Sequence, residues 1–152
     1  MRQAAFICSD ALWARGHGDT HPLRAERLRM THELLDAYGA FDDKRSRRVT
    51  PVPATDEELG LWHTPEYIDA VHRLSDGDKS MSPWQYHFGP GDNPVFPGMY
   101  ETEALKAGST LLAARMVLNQ EVDVAFSFAG GLHHAMAGYA SGFCVFNDPV
   151  IA

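Results

Sequence analysis

An apolar run leads into a glycine-rich loop with two adjacent histidines in Val122-Asp123-Val124-Ala125-Phe126-Ser127-Phe128-Ala129-Gly130-Gly131-Leu132-His133-His134-Ala135. The run over 122–128 predicts a buried strand. In open α/β sheets, ligands bind just beyond the carboxyl ends of strands. Because histidine titrates near neutral pH, a pair at that point can hold one base and one acid. The dipeptide alone is also compatible with a loop that has no function.

The segments on the N-terminal side of this stretch predict alternating strands and helices. The sequence from Met1 to Asp10 predicts a first strand, and a short strand is expected around Arg47–Thr50. Helices are predicted from Pro22 to about Tyr38, as a capped turn at 55–59, over 64–74, over 98–119, and from Asn147 onward. Residues 75–97 are rich in Gly, Pro, Ser and Asp and predict a long loop. This alternation indicates one α/β domain with a mainly parallel sheet.

The first predicted helix carries a charge on its apolar face. Leu23, Met30, Leu34 and Tyr38 form that face at helical spacing, and Arg27 projects into its middle. An unpaired buried charge is costly. Arg27 is therefore expected either to reach water or to serve an internal site for an anion or a carbonyl group.

Composition excludes several kinds of partner. The chain has 13 Lys and Arg against 20 Asp and Glu, a net charge of −7, which argues against nucleic acid or an anionic membrane as the main partner. No apolar run is long enough to span a membrane, and the N-terminal apolar stretch is too short for a signal peptide. Cys8 and Cys144 are expected to be buried and reduced, which fits a cytoplasmic protein.

The histidine pair belongs to a longer pattern. It is followed by Ser141-Gly142-Phe143-Cys144-Val145-Phe146-Asn147-Asp148, and further segments of the same pattern are His21–His32 and Gly91–Gly98. From Ala4 to its end the chain resembles the zinc-dependent histone-deacetylase superfamily, most of all its bacterial acetoin-utilisation members. The resemblance implies a three-layer arginase/deacetylase-like α/β fold with a mainly parallel sheet, truncated after the His-His loop.

The resemblance also implies roles at a tunnel that receives acetyl-lysine. His133 and His134 would handle protons around a zinc-bound water during amide hydrolysis. Gly142 and Phe143 would shape the tunnel around the lysine methylenes, and Asp92 at the rim would hold the substrate backbone.

Two further residues match an internal channel proposed for acetate release in that family. Arg27 would line this channel, in agreement with its position on the apolar face of the first helix. Cys144 would lie near it and is expected to pack rather than react.

The same resemblance implies that part of the active site lies elsewhere. The zinc ligands would come from an Asp-x-His and a later Asp outside this chain, so residues 1–152 would be the N-terminal part of a single deacetylase domain. The isolated chain is then expected to be inactive. Two alternatives stay open: a non-catalytic assembly or binding module, self-associating through an exposed sheet edge at 122–128, and an acetylpolyamine-type amidohydrolase.

The remaining histidines predict no site. His17 and His21 flank Asp19 at a spacing that fits no standard metal site. His63, His72 and His87 are expected at the surface or in loops, and His32 in the first helix.

Overall fold

The computed structural model describes residues 2–152; Met1, which the predicted first strand segment includes, lies outside the described residues. The strands are β1 (Ala4–Ile7), β2 (Ser46–Val49) and β3 (Val124–Ser127). The α-helices are α1 (Glu26–Ala37), α2 (Asp56–Leu59), α3 (Pro65–Ser75), α4 (Met99–Leu118) and α5 (Asp148–Ile151). Short 3-10 helices lie at Asp10–Leu12 and Pro83–Tyr86, the second within the predicted long loop.

The strands form one parallel sheet in the order β2-β1-β3, in which Ala4 pairs with both Ser46 and Val124. Parallel neighbours need crossover connections. Helix α1 lies in the connection from β1 to its neighbour β2, and α2, α3 and α4 lie in the connection that returns from β2 to β3 on the other side of β1. The predicted α/β fold with a parallel sheet is confirmed. β3 is an edge strand, as expected. The prediction that the apolar run is buried is wrong, since an edge strand has a neighbour on one side only: the side chains of Val124 and Phe126 are 54% and 53% exposed.

Helix α4 is the centre of the main core. Its Met99, Ala107 and Leu111 pack with Tyr67 and Val71 of α3 and with Phe146. Small residues let other parts of the chain approach this helix closely. Ala104 accepts the backbone N–H of Ala54 at 2.9 Å, and a Cβ at Gly108 would overlap the carbonyl oxygen of Val52.

Local capping signals fix the ends of several helices. Thr55 and Glu58 form a reciprocal capping box at α2. The Thr64 side chain accepts the backbone N–H of Tyr67 at the start of α3, and that of Asn147 accepts from Val150 at the start of α5. These three predicted helix starts are confirmed.

The first helix differs from its prediction in start and in buried face. It begins at Glu26, not Pro22, because His21 Nδ1 accepts the backbone N–H of Leu23 at 3.0 Å and holds 22–25 in a turn. The predicted apolar face is wrong: three of its members are 56–82% exposed, namely Met30, Leu34 and Tyr38. Instead Leu28 packs beside Leu12 and Leu105, and the His32 ring packs against Phe6, Trp13 and Phe41.

Two predictions from composition can be compared with the fold. Cys8 and Cys144 are both buried and unpaired, as expected. Among residues 2–152, no helix combines the length and apolar character needed to cross a membrane.

Candidate active site

The loop that carries the two histidines is anchored by a buried carboxylate at the start of α5. Asp148 accepts the backbone N–H of Leu132 through Oδ1 at 2.7 Å and that of Gly131 through Oδ2 at 2.8 Å. The hydroxyl of Thr110 in α4 also donates to Oδ2, at 2.5 Å. A Cβ at Gly130 would overlap both Thr110 and Asp148, so the loop approaches these helices as closely as only glycine allows.

The neighbouring Asn147 fixes the histidine-bearing backbone itself. Its Nδ2 donates to the carbonyls of His133 at 3.1 Å and Ala135 at 2.9 Å. Its backbone N–H donates to Nε2 of His63 at 2.9 Å, while Nδ1 of His63 donates to the carbonyl of Ala137 at 3.3 Å. One nitrogen accepts and the other donates, so the His63 ring is neutral, and burial lowers its pKa. His63 lies in the loop between α2 and α3, one of its two predicted environments, but it is only 2% exposed and is not at the surface.

The two histidines of the loop lie side by side beyond the carboxyl end of β3. Their ring centroids are 4.1 Å apart, and both residues are exposed. Nδ1 of His133 lies 3.0 Å from the carbonyl oxygen of Gly131. Because a carbonyl oxygen only accepts, Nδ1 carries the hydrogen, and the tautomer that this bond selects has its lone pair on Nε2.

A tight hairpin packs directly against this pair. Ser141 and Cys144 exchange backbone hydrogen bonds of 3.1 and 2.8 Å. The residues between them, Gly142 and Phe143, have φ of 51° and 72°, the positive values of a type I′ turn. A left-handed non-glycine residue costs about 1–3 kcal/mol, so tertiary contacts must hold Phe143. A Cβ at Gly142 would lie 2.9 Å from the ring of His134, so this approach also requires glycine.

Asp92 and Phe143, predicted for the rim and the wall of one tunnel, contact the same histidine. The carbonyl of Asp92 accepts from Nε2 of His21 at 3.1 Å. The His21 ring meets the Phe143 ring edge-on, with centroids 4.7 Å apart and planes at 81°. His17 lies beside His21 at 4.5 Å and donates from Nε2 to the carbonyl of Phe143 at 3.0 Å.

Arg27 lines a cavity of about 140 Å³ between α1, α4 and the end of β3. Arg24 and Lys106 line it as well, and none of the described residues that line it is acidic. Lys106 donates from Nζ to Oε1 of the buried Glu103 at 2.7 Å. The cavity therefore presents positive charge on otherwise apolar and backbone walls.

Cys144 lies behind this cavity rather than in its wall. It packs against Leu132 and Leu23, which do line the cavity. Burial raises the pKa of the Cys144 thiol, and Sγ donates to the carbonyl of Gly142 at 3.3 Å. A protonated, buried thiol is a packing group rather than a nucleophile.

The described residues do not fit a zinc ion by themselves. Within 2–152, no three His, Cys, Asp or Glu side chains come together as a group that could hold a metal. His17 and His21 are adjacent, but each donates from Nε2 to a carbonyl, so those nitrogens present no lone pair to a metal.

The residues that support the histidine loop and the hairpin through hydrogen bonds were not predicted from the sequence. Asp148, His63 and His17 act through contacts 16, 84 and 126 residues away along the chain. The Asn-Asp pair at a helix start was the one local signal available for Asp148.

Similarity to known proteins agrees with this site. The family model for the histone deacetylase domain matches residues 21–152. Acetoin utilization protein AcuC of Bacillus subtilis is 40% identical over 153 residues, covering 100% of this chain and 39% of AcuC. Histone deacetylase RPD3 of Saccharomyces cerevisiae is 36% identical over 152 residues, covering 99% of this chain and 35% of RPD3. The crystal structure of an HDAC homologue from Aquifex aeolicus has a TM-score of 0.86 at 31% identity, covering 99% of this chain and 40% of that one.

The fold and the site define an α/β protein of the arginase/deacetylase-like class. The chain belongs to the histone deacetylase family. The resemblance predicted from the sequence, including similarity to the acetoin-utilisation members, is thereby confirmed. The chain spans about two fifths of the length of relatives that it matches over its whole extent.

Proposed function

We propose that this chain is the N-terminal part of a cytoplasmic, zinc-dependent deacetylase of the acetoin-utilisation type. The enzyme hydrolyses acetyl-lysine, in a protein or as a small acetylated amine, to lysine and acetate. The observation that carries the proposal is the exposed pair His133–His134, held from α5 and packed against the Gly142–Phe143 hairpin. Membership of the histone deacetylase family supports the same reaction.

Amide hydrolysis needs two proton transfers, which suit this pair. As water attacks the carbonyl carbon it loses a proton, and the amine takes up a proton as the C–N bond breaks. Nε2 of His133 is available as a base because its Nδ1–H is engaged by Gly131. The adjacent His134 ring is close enough to share the same substrate, so the two rings divide the two transfers.

The hairpin and the rim loop supply substrate binding in this proposal. The Phe143 ring packs along the methylene stem of the acetyl-lysine, and Gly142 leaves room for it beside His134. The exposed carboxylate of Asp92 accepts backbone N–H groups of the substrate. The His21 ring contacts both the backbone carbonyl of Asp92 and the ring of Phe143, and so holds the two residues beside each other.

The cavity beside α1 is assigned to the acetate product. Arg27 and Arg24 provide the positive charge that a small carboxylate requires, whereas the charge of Lys106 is balanced by Glu103. Cys144 supports this wall through Leu132 and Leu23.

When bound, zinc polarises an acetyl carbonyl and lowers the pKa of its water. Residues 2–152 contain no group of three side chains that could hold a metal, and in this proposal the ligands come from outside this chain. The isolated chain is expected to be inactive.

A second candidate function is a non-catalytic assembly module. The exposed edge of β3, with Val124 and Phe126 half exposed, favours pairing with another copy of the chain. This candidate predicts association without hydrolysis.

The test is acetate release from an acetyl-lysine peptide, with the product amine identified. We expect the complete protein that carries this chain to release acetate and the isolated 152-residue chain with added zinc to release none. Zinc-dependent turnover by the isolated chain would contradict the assignment of the metal site. A complete protein without turnover would contradict the deacetylase itself and favour the assembly module.

A further inference from the structure

We propose that His17 and His21 are positioning residues that join the tunnel wall at Phe143 to the rim loop at Asp92. Each ring donates a hydrogen bond from Nε2 to a backbone carbonyl, one on either side of the tunnel. This inference deepens the proposed function and rests on it for its enzymatic consequence. The two hydrogen bonds themselves lie within the chain and do not depend on that function.

The first contact holds a backbone conformation that is costly for its residue. Phe143 has φ of 72°, which an L-amino acid with a large side chain adopts only when its surroundings enforce it. Nε2 of His17 donates to the carbonyl of Phe143 at 3.0 Å, across 126 residues of chain. The turn hydrogen bonds between Ser141 and Cys144 close the hairpin, and the bond from His17 fixes its outward carbonyl.

The second contact extends the same connection to the rim. His21 accepts the backbone N–H of Leu23 through Nδ1 and donates to the carbonyl of Asp92 through Nε2. Both ring nitrogens are therefore committed, and the ring is fixed in one tautomer. Its flat side chain packs edge-on against Phe143 and beside His17. The rim loop and the tunnel wall thus meet at two adjacent imidazoles, whose planes are tilted by 59°.

The burial of His17 argues that the ring does more than fill space. The residue is buried, and its Nδ1 has no hydrogen-bond partner among the described residues. An apolar side chain would fill the same volume without a buried, unsatisfied nitrogen. The hydrogen bond to Phe143 is what a histidine provides there and an apolar side chain does not.

Two variants of His17 separate hydrogen bonding from space filling, one that keeps the donor and one that removes it. His17→Gln keeps an N–H donor near the position of Nε2, whereas His17→Met removes it at similar volume. His87→Asn is the matched control, because His87 is exposed, packs its ring on Tyr139 and has a left-handed backbone that asparagine tolerates.

The first measurement needs no activity. The ¹⁵N imidazole spectrum of the 152-residue chain at pH 7 should show His17 and His21 as Nε2–H tautomers. Hydrogen exchange of the Cys144 amide should accelerate about three- to tenfold in His17→Met, the effect of losing one hydrogen bond, and return toward wild type in His17→Gln. A His17 ring in the Nδ1–H form, or unchanged Cys144 exchange in His17→Met, would overturn the proposal.

The second measurement reads the enzymatic consequence in the complete protein. His17→Met should raise KM for an acetyl-lysine peptide about three- to tenfold with kcat nearly unchanged, and His17→Gln should restore KM. An equal fall in kcat, or no rescue by glutamine, would contradict a positioning role. A wild-type protein without hydrolysis would instead refute the proposed function and leave the spectroscopic result standing.

Discussion

Asp148 accepts the backbone N–H of Leu132 at 2.7 Å, one residue before the histidine pair. The same carboxylate accepts from Gly131 and Thr110. A buried carboxylate with three donors is a strong anchor, because charge-assisted hydrogen bonds are stronger than neutral ones. The position of His133 and His134 therefore depends on a side chain that makes a hydrogen bond to neither ring.

Removing the charge of this anchor should destabilise the fold. In Asp148→Asn, an NH₂ group replaces one acceptor and faces a donor, so we expect unfolding free energy to fall by about 2–3 kcal/mol. The measurement is urea denaturation. Asp69→Asn, at an exposed ion pair with Arg73, is the control and should cost under about 0.5 kcal/mol. Equal losses in the two variants would show that the anchor is not what holds the loop.

Because the loop lies so close to its neighbours, alanine should lower the unfolding free energy far more at Gly130 than at Gly138. In Gly130→Ala the new methyl group meets Thr110 and Asp148, and we expect a loss of about 2 kcal/mol or more in unfolding free energy. In Gly138→Ala nothing lies within 4 Å of the new Cβ, so stability should be unchanged or slightly higher. Urea midpoints compare the two. If Gly130→Ala were as stable as Gly138→Ala, the described packing of the loop would be wrong.

Stability should depend on pH through the buried histidines. Burial lowers the pKa of His63 and of His17, so each ring stays neutral in the fold while the unfolded chain takes up protons near its ordinary pKa of about 6.5. Their contribution is complete above that pH and is lost progressively as pH falls below it. Carboxyl groups with a lowered pKa, such as Asp78 with a pKa of about 2, affect stability only at more acidic pH.

Urea denaturation at pH 5, 6 and 7 tests this assignment. The wild-type chain should lose stability across that window, and His63→Gln should lose less because it removes one titrating ring. His87→Asn, at an exposed position, should keep the wild-type dependence. A wild-type stability that is flat from pH 7 to 5 would contradict the neutral, buried state of these rings.

The exposed edge of the sheet predicts self-association. We expect light scattering to detect dimers or larger species of the 152-residue chain at micromolar concentration. Phe126→Lys should reduce them, because a charge on an edge strand opposes strand pairing. Val52→Lys, at a position 72% exposed outside the sheet, is the control and should have no effect. A clean monomer in the wild-type chain would count against the assembly module.

Much of the fold is predictable from local signals in the sequence. The Thr55 box, the Thr64 cap with its following proline and the Asn147 cap each depend on residues within one helical turn. The apolar run before the histidines needed only its hydrophobic pattern to be identified as a strand. Local rules suffice in these places because the interactions that decide them are local.

The rest depends on contacts that the sequence does not display. The start of α1 moves because the His21 side chain competes for a backbone N–H, and its buried face is chosen by the partners of Leu28 and His32. His63 and His17 have nothing in their own neighbourhoods that marks them as buried. The placement of the histidine pair was predictable from its motif, whereas the groups that hold it were not.

The most direct test of the central claim is acetate release from an acetyl-lysine peptide by the complete protein and its His134→Ala variant, with zinc content measured in both. If His133 and His134 divide the proton transfers, the variant should lose about 10²-fold or more of its turnover while keeping its zinc. His87→Asn should retain wild-type turnover. A His134→Ala variant with unchanged turnover and unchanged zinc would contradict the role of the histidine pair.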